Sequence, residues 1–269
     1  MEPTDPQLLE AARAGDQRAL AQLLDHHQQR IYRFGLKMCG NSEDAEDVLQ
    51  ETLLAMARGV GEFRGASSLS TWLYTIARSF CIKKRRRGRS VEAAPGSESD
   101  ELLQRADTAP LPDEQLAARE AQQTLGDAIA TLEPINREVL LLRDAEGLTA
   151  PETAEVLGIS VDAVKSRLHR ARVQVRAAMA PLVGDAPSLP GCPDVVDLLS
   201  RHMEGEISGD VCAARERHLA SCAPCRIRCD GLRATLALCR NTAAIEVPAP
   251  IQASVRAALR DLLALPVPR

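Results

Sequence analysis

The residues best equipped for chemistry lie late in the chain. His218-Leu-Ala-Ser-Cys222-Ala-Pro-Cys225 has the spacing H-x3-C-x2-C. Two thiolates separated by two residues can share one tetrahedral ion, and a histidine one helical turn earlier can reach the same ion. A closed structural site needs a fourth ligand, and Cys192 and Cys212 are the candidates. If 211–220 is helical, Cys212 sits about 240° around the axis from His218 and points elsewhere. Cys192 begins the segment and is free to fold back. The expected set is therefore Cys192, His218, Cys222 and Cys225, holding zinc as a structural ion. Six of the eight cysteines lie between 192 and 239. Cys229 and Cys239 share a helical face with Cys225, so they read either as buried core thiols or, with Cys212, as a second metal site or redox pair.

A second set of residues has the chemistry of nucleic-acid contact. Thr149–Arg176 reads as two helices joined by a tight turn. Thr149 and Glu152 form a capping box, Gly158 supplies the turn, and Ser160 caps the second helix. On that helix Val164, Leu168 and Ala171 share one face. Asp162, Lys165, Ser166, His169 and Arg176 share the other. An apolar inner face with a basic outer one is the layout of a helix-turn-helix DNA reader. Upstream, Arg64–Val91 holds eight Lys or Arg and no acid, although the whole chain carries a net charge of −4. All six aromatics fall within residues 32–80. Rings beside a basic tract suit stacked, unpaired bases. Phe34 and Phe80 are expected in the core, whereas Phe63, Trp72 and Tyr74 are expected near bases.

These features must be positioned by helices. The 269 residues are rich in Ala, Leu and Arg and poor in β-formers, which predicts an all-α chain of two or three small domains. Helices are expected at 5–14, 16–39, 42–58 (capped by Ser42), 71–86, two within 113–143, and 251–263, the last with Ile251, Val255, Leu259 and Leu262 on one side. On 42–58, Ala45, Val48, Leu49, Thr52 and Met56 make an apolar face, while Asp44, Asp47 and Glu51 make an acidic stripe fit for a basic partner. Linkers are expected at 91–112 and 181–191, where Pro, Gly, Ser and acids cluster. No stretch approaches the roughly 20 apolar residues of a membrane span, and the start carries no apolar run, so a cytoplasmic protein is expected.

Three blocks in order resemble the extracytoplasmic-function sigma factors of bacterial RNA polymerase. They are D-A-E-D-V-L-Q-E-T at 44–52, F-R-G-A-S-S-L-S-T-W-L-Y-T-I-A-R at 63–78, and the helix-turn-helix with V-K-S-R-L-H-R-A-R at 164–172. The resemblance implies a region 2 bundle at 5–90 and a region 4 helix-turn-helix at 113–180. It implies that Asp44, Asp47, Gln50 and Glu51 dock on the β′ coiled coil of core polymerase. Phe63, Arg64, Ser67, Ser68, Trp72, Arg78, Lys83 and Arg86 would serve the −10 element. Lys165, Ser166, Arg167, His169 and Arg170 would read the −35 element. Residues 192–240, with M-E-G-E-I at 203–207, are similar to a zinc-binding anti-sigma fold, and 241–269 form a tail.

The function so implied is promoter-directed initiation, with no catalytic residue, self-regulated by an intramolecular contact between the zinc module and the sigma domains. Two departures stand out: Ser79 and Lys83-Lys84 occupy positions where relatives often carry Asn and an acid. The competing reading is a stand-alone helix-turn-helix regulator whose cysteines sense metal or redox state.

Overall fold

The computed structural model describes residues 3–91, 113–240 and 247–264, and among them there is no strand. The chain divides into two compact units, Met1–Arg105 with Ala244–Arg269, and Ala106–Ala243.

The first unit contains α1 (Asp5–Arg13), α2 (Gln17–Cys39), α3 (Ser42–Gly59), α4 (Leu69–Val91) and the tail helix α12 (Ala249–Ala264). Between α3 and α4 lies a single 3-10 turn, Val60–Glu62. Local chemistry sets the boundaries. The Asp16 carboxylate accepts from the backbone N–H of Arg18 and Ala19, starting α2. Asn41, rather than the expected Ser42, caps α3. Its side-chain oxygen takes the Asp44 N–H at 2.7 Å, and Ser42 is the first helical residue. Ser68 caps α4 by accepting from Thr71 N–H at 3.1 Å, so that helix starts earlier than expected and also runs past Gly88 to Val91. The core joins Leu23, Leu24, Ile31 and Phe34 of α2 to Val48, Leu49, Leu53 and Met56 of α3 and Leu73, Ala77 and Cys81 of α4.

The second unit contains α5 (Asp113–Ala130), α6 (Pro134–Leu140), α7 (Ala150–Leu157), α8 (Val161–Val183), α9 (Val195–Met203), α10 (Gly209–Ser221) and α11 (Ala223–Arg240). Helix α6 continues into a wide five-residue π turn, Leu141–Ala145, which carries Arg143 and Asp144. The helix-turn-helix forms as its sequence dictates. Thr149 N–H donates to the Glu152 carboxylate at 2.8 Å and Glu152 N–H returns to the Thr149 hydroxyl at 3.3 Å. Gly158 ends α7 at φ +67°, where a Cβ is strained. Ser160 accepts from Ala163 N–H at 3.2 Å to start α8. Val164, Leu168, Ala171, Val175 and Met179 are buried along one side of α8. The cysteine-rich helices pack on this same unit: α11 lies against α8 and the π turn, and α9 lies against α8. At their contact Gly231 lets the backbones approach closely, since a Cβ there would meet the Gly184 carbonyl oxygen at 3.0 Å, tighter than an ordinary contact.

Candidate metal centre and nucleic-acid interface

Four donors converge at the junction of α9, α10 and α11. Cys192 precedes α9, His218 sits in the last turn of α10, Cys222 caps its end, and Cys225 opens α11. Their ligand atoms all lie within 4.8 Å of one another. The sulfurs of Cys192 and Cys222 are 3.8 Å apart. Two sulfurs each about 2.3 Å from a tetrahedral ion would stand about 3.8 Å apart. The buried Nε2 of His218 has no hydrogen-bond partner among the described residues. A buried imidazole nitrogen without a partner is costly unless a ligand takes it. The donor set thus fits a zinc ion. Burial, then the neighbouring thiols of Cys222 and Cys192, push the Cys225 thiol up to about 12. A hydrophobic cluster of Val195, Val196, Leu199, Cys229, Leu232 and Leu236 backs the site.

Among the described residues, the converging donor group does not include Cys212, Cys229 or Cys239. Cys229 is in that cluster and its thiol donates to the Val195 carbonyl at 3.5 Å. Cys239 is buried on α11. Cys212 lies on α10, with its sulfur 3.0 Å from Nδ1 of His202. Cys229 and Cys239 are buried on α11, as the core-thiol reading expects, while Cys212 turns toward α9.

Helix α8 carries a row of basic side chains that meet the cysteine-rich segment. Residues 165, 169, 172 and 176 follow one another at three- and four-residue steps, and each meets the cysteine-rich segment. Lys165 Nζ lies 3.1 Å from Glu206. His169 Nδ1 lies 3.7 Å from Asp197. Arg172 is 1% exposed and is held by Asp144 (2.6 and 2.8 Å), Ser200 Oγ (3.1 Å) and Glu204 (3.0 Å). Burial opposes its charge, but the bonds to Asp144 and the two carboxylates prevail and raise its pKa. Arg176 donates to the Arg228 carbonyl at 3.2 Å and pairs with Asp185. Arg176 was expected on the outward basic face; it is buried because α11 covers that part of α8. Ser166 and Arg170 remain exposed, Arg170 bonding back to Ser166, and Arg167 is half-buried. Glu204 and Glu206 belong to the turn between α9 and α10, where Gly205 sits at φ +69°. Glu204 also takes Arg143 at 2.5 Å. The acids of M-E-G-E-I were visible in the sequence; that they face α8 was not.

In the first unit, Asp44 and Asp47 share Lys84, which lies 3.3 Å from Asp44 and closer to Asp47. The bond to Asp47 raises the Lys84 pKa despite partial burial. Glu51 is exposed and Gln50 half-buried. Lys84 had no assigned role in the sequence reading; its run of basic neighbours concealed its link to α3. Phe63 and Trp72 stack with centroids 5.0 Å apart, Phe63 buried and Trp72 half-buried. Tyr74, expected to face outward, is instead 3% exposed and packs edge-on against Phe34 at 5.3 Å. It faces inward because it falls one residue from Leu73 and three from Ala77 on the buried side of α4. Phe80, expected in the core, is half-buried at a shallow cavity with Asp47, Glu51, Lys83 and Lys84. Arg64 and Ser68 are exposed in the loop and Ser67 is half-buried. Along α4, Arg78 is half-buried and Lys83 and Arg86 are exposed.

Three family models match the chain: sigma-70 region 2 over residues 23–91, sigma-70 region 4 over 122–175, and a zinc-finger family over 192–226. The ECF RNA polymerase sigma factor SigM of Mycobacterium tuberculosis (H37Rv) is 33% identical over 174 residues, covering 65% of this chain and 84% of that protein. The RNA polymerase sigma-H factor of Pseudomonas aeruginosa is 32% identical over 190 residues, covering 68% and 97%. SigG of M. tuberculosis, 36% identical, is matched over half its length. A solved structure of the sigma factor RpoE with the anti-sigma factor NepR from Bartonella quintana is 26% identical, covers 59% of this chain and 95% of that one, and has a TM-score of 0.48.

Proposed function

Since the chain belongs to the extracytoplasmic-function RNA polymerase sigma factors, we propose that it acts as a dissociable subunit that brings core polymerase to specific promoters and is regulated by its own zinc module. The observation that carries the sigma reading is the presence of both sigma regions on one chain. In region 2, the Asp44, Asp47 and Glu51 stripe is the surface for a basic polymerase element, the β′ coiled coil. Lys84 partly neutralises that stripe and must share or yield it when a basic partner docks. The stacked Phe63–Trp72 pair beside the exposed Arg64 and Ser68 supports capture of an unpaired −10 base. In region 4, α8 supplies Lys165, Ser166, Arg167, His169 and Arg170 for the −35 element. The role is one of binding, in the cytoplasm where polymerase works, and bond making belongs to the polymerase.

The zinc ion would be held by Cys192, His218, Cys222 and Cys225. When bound it cross-links three short helices that share a small core. The module 192–240 packs in the same compact unit as region 4, which supports regulation in cis. The test is reconstituted transcription with core polymerase, comparing the full chain with one ending at Asp185. Promoter-dependent transcripts from the shortened chain, changed in amount from the full chain, are the expected result. No transcript from either, with every promoter selected from a genomic library, would remove the sigma reading. Equal transcription from both, with and without zinc, would remove the regulatory one.

A further inference from the structure

Region 4 presents a stripe of basic side chains on α8, and that stripe already has an anionic occupant. Lys165, His169, Arg172 and Arg176 are all engaged by α9, α11 or the segments beside them. Three of the four partners are carboxylate-bearing residues of one segment: Asp197 on α9, then Glu204 and Glu206 in the turn that follows. The inner pair is fixed. Arg172 and Glu204 are 1% and 4% exposed, and Arg143 grips Glu204 from the π turn. The outer pairs lie toward the N-terminal half of α8, the half that a helix-turn-helix presents to base edges and phosphates. The side chains of Lys165 and His169 retain 25% and 31% of their exposure.

Resting on the sigma reading above, we infer that the turn between α9 and α10 is a built-in competitor for DNA at the −35 face, its carboxylates standing where phosphates would bind. The argument is one of exclusion and charge. A duplex reaching Lys165 must displace Glu206, and it brings its phosphates against Asp197, Glu204 and Glu206. Those phosphates cannot release counterions at cations that the protein has already neutralised. The sign of regulation follows: while the module is seated, the reading helix is masked. Ser166 and Arg170 remain exposed, so the mask covers one side of the reader and not its whole surface.

The test uses the full-length zinc-loaded chain and a fluorescent random-sequence duplex, read by anisotropy across about 50–200 mM salt. In D197N/E206Q the two outer carboxylates lose their charge while the Arg172–Glu204 anchor stays. The matched control, E216Q/D230N, makes the same change in net charge at exposed positions elsewhere on the module. Masking predicts binding about 5- to 10-fold tighter for D197N/E206Q than for the control, with a log–log salt slope steeper by about one per cation uncovered. Adding K165A to D197N/E206Q should abolish most of the gain. Equal affinity and slope for D197N/E206Q and the control would overturn the inference, as would a gain that survives K165A. Zinc content and circular dichroism, equal across the set, exclude unfolding as the source of any gain. Failure of the sigma reading is distinguishable, because it would appear as absence of promoter-directed transcription with core polymerase whatever the duplex affinities.

Discussion

At the scale of single residues, the same chemical type serves opposite ends according to burial. Arg170 and Arg172 stand two positions apart on α8. Arg170 is exposed, whereas Arg172 is buried in a net of Asp144, Ser200 and Glu204. Removing one carboxylate from such a net leaves the buried guanidinium short of a partner, so this anchor is costlier to break than the half-exposed outer pairs. The cysteines divide in the same way. Cys229 is a core thiol, whereas Cys225, equally buried, is one of four converging donors. Because burial and adjacent thiols push the Cys225 thiol up to about 12, it is protonated at neutral pH without metal. Zinc must displace that proton, so affinity should rise with pH and fall in acid. Calorimetry in buffers of different ionisation enthalpy should register release of at least one proton per zinc. Cys192→Ser should weaken binding by at least 10-fold, and metal uptake independent of pH would contradict the assignment.

At the scale of elements, amphipathic helices are used on two faces. Helix α9 turns Val195, Val196 and Leu199 into the module core, while Asp197 and Ser200 meet α8. A nine-residue helix is marginal alone, so packing on both sides supplies its stability. The tail helix α12 shows the same logic. Its sequence placed Ile251, Val255 and Leu259 on one side. Ile251 and Val255 are buried and Leu259 half-buried, with α12 packed against α3, the helix of the acidic stripe. Leu262, expected on the same side, has a side chain outside the described residues. Val255→Glu should detach α12, since it forfeits about 1.5–3 kcal/mol of apolar burial and adds a desolvated carboxylate. Hydrogen exchange should then speed up in 249–264 while the amides of α2 and α4 stay protected. Unchanged protection of α12 would show that the contact contributes little.

At the scale of the whole molecule, the cysteine-rich segment shares a compact unit with region 4, and the tail belongs with region 2. This division makes a separable prediction. Trp72 is the only tryptophan in the chain and lies in the first unit. Chelation should lower the melting of the second unit, whose module loses its cross-link, while the Trp72 fluorescence transition moves by no more than about 2 °C. A chelator-induced shift of the Trp72 transition as large as that seen by far-ultraviolet dichroism would contradict independent units. No helix among the described residues is long and apolar enough to cross a membrane.

Local signals were enough to write the helices and the donors into the sequence. The capping box at Thr149 and Glu152, the left-handed turn at Gly158, the cap at Ser160 and the His218-x3-Cys222-x2-Cys225 spacing all act within a few residues, and each forms as its types require. Cys192 could be chosen over Cys212 because helical geometry alone turned Cys212 away from His218. Other choices were made only by packing. Tyr74 and Arg176 sit at the margins of amphipathic faces, where periodicity is ambiguous, and their neighbours Phe34 and Arg228 lie 40 and 52 residues away. Lys84 found Asp44 and Asp47 across two helices. The pairing of Glu206 with Lys165 and of Glu204 with Arg172 joins parts of the chain 41 and 32 residues apart. A charged residue carries no local signal of which opposite charge it will meet, so the turning of these α8 cations toward the cysteine-rich module was decided by the tertiary structure.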